Sequence, residues 1–325
     1  MAYGQLPPIP FPQSSISTKL SYVLSTVDGK ADLVDPSTGQ PLPVNDSINV
    51  YKIVPTTPSL NSLQIADAKV IAIGMVNPDG SAIKEQRVSE TEYSWREVNG
   101  MNRVITMDIG SYNFTLTSNF LNYPAVLQGN NLPTDAQAIS TVQNFLSTLQ
   151  LDYSDFDPNL TTTTDYTISN NSLTPVTNAQ QKIMAIKVDF YQRSINNLPI
   201  LYPFSSDSTL SFIVTGGDTG PQVAQATYFH QVVDTSSQGN SDYPLKTASQ
   251  AYADLQAGNA YILPGFDPSS GQVSIKSISL GYFIGENNQS YLMPIYVFVG
   301  TNNFEAYVSA VTDNVLATPT PSPAQ

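Results

Sequence analysis

The chain contains no cysteine, which removes disulfide staples, thiolate metal ligands and thiol chemistry together, so its stability must come from core burial and strand pairing. It contains one histidine, His230. A zinc centre of the usual His/Cys kind cannot be built from that inventory. A Ser-His-Asp hydrolase would have to use His230, yet no Gly-x-Ser-x-Gly elbow occurs in the sequence. Charge is scarce as well: Asp, Glu, Lys and Arg make up 12% of the 325 residues, about half their usual share of a soluble domain. The 26 carboxylates outnumber the 13 basic side chains, for a net charge of −13. With no Lys/Arg cluster, nucleic acid is set aside as a partner, and direct attraction to anionic lipid headgroups is expected to be small. No window approaches the ~18 apolar residues of a membrane span, and the N-terminus has neither the basic nor the apolar region of a signal peptide.

What is present is globular material, 41% hydrophobic and rich in Ser, Thr, Asn, Gln and Tyr, long enough for two or three domains that each bury a core. Such polar, weakly charged composition is common on surfaces that face the outside of a cell. Punctuation divides the chain into a Pro-rich linker (1–13, with Pro7, Pro8, Pro10 and Pro12), an N-terminal α+β block (14–125), a middle helix-plus-sheet block (126–240), a C-terminal one (241–316) and a Pro/Thr tail (317–325). The polyproline-like opening predicts a spacer. Behind it we expect an N-terminal anchor helix outside this sequence, with Met1 added for expression.

Two blocks carry the same pattern. Thr134 and Gln137, and again Thr247 and Gln250, stand at capping-box spacing before a helix. The first helix offers Ile139, Val142, Phe145, Leu146 and Leu149 to one side, and the second offers Ala251, Tyr252 and Leu255 before Gly258. Each is followed by a strand, a polar turn and a Leu198-Pro199-Ile200 or Met293-Pro294-Ile295 step. A third helix is predicted from a cap at Ser59 to a stop at Gly74, with Leu63, Ala66, Val70 and Ile73 on one face. Alternation over Val273–Leu280 predicts a strand with a bulge between Ile275 and Ile278. The Asp-Pro-Ser-x-Gly runs at Asp35–Gly39 and Asp267–Gly271 read as turns. The fold class expected is α+β, with serial repeats of a helix packed on a small antiparallel sheet.

The C-terminal block, in Tyr243-Pro244-Leu245-Lys246-Thr247, Ile278-Ser279-Leu280-Gly281-Tyr282, Pro294-Ile295-Tyr296 and Ala306-Tyr307-Val308-Ser309-Ala310, resembles the repeat unit of the bacterial YycH/YycI regulators and the broader PepSY-like domains. The resemblance is best over 243–311, reaches the middle block less closely and hardly touches the first. It implies a non-enzymatic ectodomain outside the cytoplasmic membrane, acting by contact with a sensor kinase, a protease or the envelope. The missing membrane helix and the extra N-terminal block depart from that pattern.

No catalytic residue and no cofactor is expected. Asp152, Asp155 and Asp157 are calcium candidates, against which stand their non-EF-hand spacing and the absent loop glycine; solvated loops are the competing reading. Asn77–Ser81 makes a sound turn without a metal. A binding surface would draw on Tyr93, Trp95, Tyr191, Tyr282 and Tyr296 if they were exposed together, whereas Tyr in antiparallel strands is ordinarily half-buried sheet packing. A carboxylate pair for glycoside hydrolysis can lie far apart in sequence. The functional expectation is therefore a non-catalytic extracytoplasmic ectodomain whose partner is another envelope or membrane protein. A surface adhesin or carbohydrate-binding module is the alternative, and a hydrolase with a carboxylate site comes third.

Overall fold

The chain is described from a computed structural model that covers residues 3–13, 20–25, 30–34, 40, 45–98, 100–204, 208–268 and 271–317. It divides into two compact units: unit 1 takes Met1–Pro55, Ser194–Ser206 and Gln231–Gln325, and unit 2 takes Thr56–Arg193 and Asp207–His230. Each unit is built on one nine-stranded sheet. Among the described residues no helix is long and apolar enough to cross a membrane.

In unit 2 the strands run across the sheet in the order Gln86–Arg87, Glu92–Arg96, Val104–Asp108, Phe114–Thr117, Gln222–Tyr228, Leu210–Thr215, Ala185–Phe190, Thr162–Ser169 and Ser172–Pro175. All neighbours are antiparallel. The join between the early and late strands is the pairing of Ala226 with Leu116 and Tyr228 with Phe114. Helices α1 (Ser62–Ala72) and α3 (Asp135–Thr148) contribute Ala66, Val70, Val142 and Leu146 to the main core, together with Trp95, Ile105 and Phe212 from the strands. A smaller core holds Phe120 and Val126, the latter from the short helix α2 (Pro124–Gln128), against Ala185, Ile213 and Ala224.

Helix α3 starts where the sequence dictates. Thr134 accepts from the Gln137 amide while the Gln137 side chain returns to the Thr134 amide, so two orphan donors are satisfied. Ala138, Val142 and Leu146, four residues apart, line its buried face. Its far end is closed by Lys69 of α1, whose ammonium donates to the carbonyls of Leu149 and Gln150 and lies 4.9 Å from the centre of the Tyr112 ring. A cation there meets the negative end of the helix dipole. Helix α1 itself begins after Asn61, not at Ser59, and ends at Ile73 before the left-handed Gly74.

In unit 1, Gln272–Phe283 and Tyr291–Gly300 form a long hairpin, continued by Glu305–Ser309 and Tyr261–Ile262. The other edge of Gln272–Phe283 takes Ser21–Leu24 and Ile200–Leu201, both parallel. The strand Ser47–Ile53 pairs with Asn240–Pro244 and Val233–Asp234 and reaches the hairpin at Tyr291 and Leu292. The expected bulge is present, as a register shift between Ile275 and Ser277. Helix α4 (Ala248–Ala257) repeats the capping box and buries Ala251 and Leu255. Beside it the buried Lys246 bonds Asp254 and Asp313, each at 2.6 Å. Residues of the Pro-rich opening are packed in: Leu6 is fully buried and bridges Leu316, and Phe11 contacts the rings of Tyr261 and Phe283.

The α+β expectation of helices each on its own small sheet is overturned. Strand accounts for 37% of the described residues and helix for 16%, and the strands of successive blocks merge into two large sheets. The two copies of the sequence pattern also part ways. The second closes as a hairpin in which Phe283 faces Met293. In the first, Ala185–Phe190 stays in unit 2 while Ile200–Leu201 enters unit 1 as a parallel strand. The reason is that a period-2 pattern states which face of a strand is covered but not which strand lies beside it. The Asp35–Gly39 turn and most of the 317–325 tail lie outside the described residues.

Candidate functional site

The loop Leu151–Thr161, between α3 and the strand Thr162–Ser169, runs beside Tyr191–Arg193. The Asp157 amide donates to the Tyr191 carbonyl and the Arg193 amide to that of Asp155, both at 2.8 Å, with an antiparallel bridge between Phe156 and Gln192. Tyr228 and His230 reach the same place from the end of the strand Gln222–Tyr228; residues two apart on an extended chain share a face. The Tyr228 hydroxyl donates to the Asp152 carbonyl at 2.9 Å and lies 3.2 Å from His230 Nδ1. His230 Nε2 lies 3.0 and 3.1 Å from the two carboxylate oxygens of Asp155, and Gln192 Nε2 donates to the same carboxylate at 2.8 Å. The imidazole edge also meets the Phe156 ring at 86°, with centroids 5.3 Å apart.

The electrostatics follow from these contacts. Burial alone would raise the Asp155 pKa, but the hydrogen bond and charge of His230 and the hydrogen bond from Gln192 outweigh it and hold the carboxyl below its ordinary range. Burial pushes the Tyr228 phenol well up, with Asp155 and Asp152 adding to the shift, so it stays protonated. The His230 side chain is only 4% exposed while that of Asp155 is 37% exposed. The imidazole is thus enclosed, while the carboxylate that meets its Nε2 stays partly open to solvent.

Next to this cluster lies a cleft of about 270 Å³. Its floor is aromatic: Tyr153, Phe156 and Phe190, with Phe156 and Phe190 buried and their centroids 5.4 Å apart. Pro158 and Thr161 continue the wall, and Gln143, Ser154 and Arg193 bring polar groups. None of the last three makes a side-chain hydrogen bond or ion pair among the described residues.

The three aspartates are thus gathered in one loop but employed within the fold. Asp152 accepts from the Ser154 amide, Asp155 from His230 and Gln192, and Asp157 from the Asn159 amide. Among the described residues no three His, Asp or Glu side chains converge on a metal position. Of the aromatic candidates, Trp95 is buried and donates to Asp67 at 2.8 Å. Tyr282 is buried, donates to the Asn49 carbonyl at 2.9 Å and meets the Tyr51 ring edge-on. Tyr296 is buried with its hydroxyl on the Lys246 carbonyl. Tyr93 and Tyr191 are half-buried. Sequence reasoning missed Gln143, Phe156, Phe190, Gln192 and Arg193, which carry no motif and meet only through strand pairing and the packing of α3.

Fold and site together describe a mainly β, two-unit protein with a small aromatic-floored cleft in unit 2. No protein-family model matches the chain, and no curated protein is significantly similar to it. The resemblance to YycH/YycI regulators gains no support from these comparisons.

Proposed function

We propose that this is a non-catalytic binding protein of the bacterial cell exterior, engaging another envelope or membrane protein at the cleft of unit 2. The observation that carries the reading is the placement of His230: the sole imidazole is buried between Asp155 and Tyr228 and is not among the residues that line the cleft. What the cleft does offer is an apolar floor with unengaged polar groups at its rim, which is the composition of a recognition site. The sparse charge and the wealth of Ser, Thr, Asn, Gln and Tyr support an exterior setting. A photoreactive residue in place of Thr161, at the wall of the cleft, tests the proposal in the source cells. A discrete crosslink to an envelope protein is the expected result; a cleft-dependent turnover that His230→Asn abolishes while the fold is kept would overturn it. A carbohydrate ligand is the second reading, favoured by the aromatic floor, and a glycan array would reveal it.

A further inference from the structure

We infer that the cleft of unit 2 recognises a carboxylate attached to a ring-sized apolar body, the chemistry of an apolar C-terminal residue on a partner chain. The inference rests on the reading of the cleft as a binding site. A volume of about 270 Å³ falls just below the ~300–1,000 Å³ of sites for drug-sized ligands, so it fits one large side chain and not an extended ligand. Tyr153, Phe156 and Phe190 would cover an aromatic or large aliphatic group. Arg193 then supplies a guanidinium, whose paired N–H donors match the two oxygens of a carboxylate. It is exposed and makes no side-chain hydrogen bond or ion pair among the described residues, unlike Lys69, Arg103 and Lys246, whose cationic groups are bonded within the fold.

The surroundings limit the charge of the ligand. Asp155 faces the same loop as a carboxylate shielded by His230 and Gln192, and Asp157 is half-buried with Oδ1 on the Asn159 amide. The chain as a whole carries −13. A dianionic phosphate would meet more repulsion than one guanidinium offsets, whereas a monovalent carboxylate can approach from the Arg193 side while its apolar part displaces water from the floor. Gln143 and Ser154 remain available for the amide that precedes a C-terminal residue.

The test compares N-acetylphenylalanine with N-acetylphenylalaninamide by titration of the whole chain, followed by ligand-observed NMR. The free acid should bind at least about tenfold more tightly than the amide, since a hydrogen bond to a charged group carries that much. Arg193→Gln should erase the difference, and Arg193→Lys should restore part of it. Equal affinity for acid and amide, indifference to Arg193→Gln, competition by inorganic phosphate alone, or no binding of the acid would each overturn the inference. If the acid fails to bind while the Thr161 crosslink still captures a partner, the carboxylate inference falls and the binding-protein reading stands; if both fail, both fall.

Discussion

Asp155 is the residue on which the interior of the site depends, because it is the carboxylate that both His230 and Gln192 address. Asp155→Asn keeps the shape but removes the charge, and it should cost about 1–3 kcal/mol of unfolding free energy, the range for losing a charged hydrogen-bond partner. Since the folded carboxyl titrates below its ordinary range, the unfolded chain binds the proton more readily than the folded one. The stabilising contribution is complete above the unfolded value near 3.9 and is lost as pH falls through the lower folded value. Urea denaturation should thus show wild type more stable than Asp155→Asn at pH 5, with the two converging in acid. Lys69 makes a second test. Lys69→Met retains the apolar stem but strips the donor from the Leu149 and Gln150 carbonyls, and a loss of about 1–2 kcal/mol is expected by the same measurement.

Among the elements, the helices were the most legible in the sequence. Both capping boxes form as read, because a cap is settled by residues three apart. Thr134→Ala and Thr247→Ala should each lower stability by about 1 kcal/mol, and the Ser variants by much less. The start of α1 was misplaced because Ser59 bonds Ser62 ahead of the helix without capping it. The bulge in Gln272–Phe283 was legible from its phase slip, while the partners of that strand were not. Gly281 shows why: a Cβ there would lie 2.8 Å from Leu201 Cδ1, a constraint imposed by a segment some eighty residues away. Gly216 is tighter still, facing the backbone of Asn130 and Leu132. Gly216→Ala should destabilise by about 3 kcal/mol or more, beyond ordinary overpacking, which a thermal melt would register.

For the whole molecule, the sequence announced how much would be buried but not how it would be shared. The hydrophobic clusters of one unit share no residue with those of the other, which predicts that damage stays local. Leu146→Ala, at a fully buried position on α3, should cost about 2–5 kcal/mol. Amide hydrogen exchange should quicken in Ala185–Phe190, Leu210–Thr215 and Gln222–Tyr228 and remain slow in Gln272–Phe283 and Tyr291–Gly300. The cleft was illegible for the same reason as the sheets, since Arg193, Phe156 and Phe190 acquire meaning only once Tyr191–Arg193 lies beside the Leu151–Thr161 loop. The chain crosses between the units four times, at residues 55, 193, 206 and 230, and this ordering sets a timetable for synthesis. Unit 2 has its last strand by Tyr228 and can close while the ribosome is still working. The strand Ser47–Ile53 must wait for Asn240–Pro244 and then for Tyr291, so it spends most of translation without its neighbours. It is the segment that a chaperone would hold and that a protease would find first.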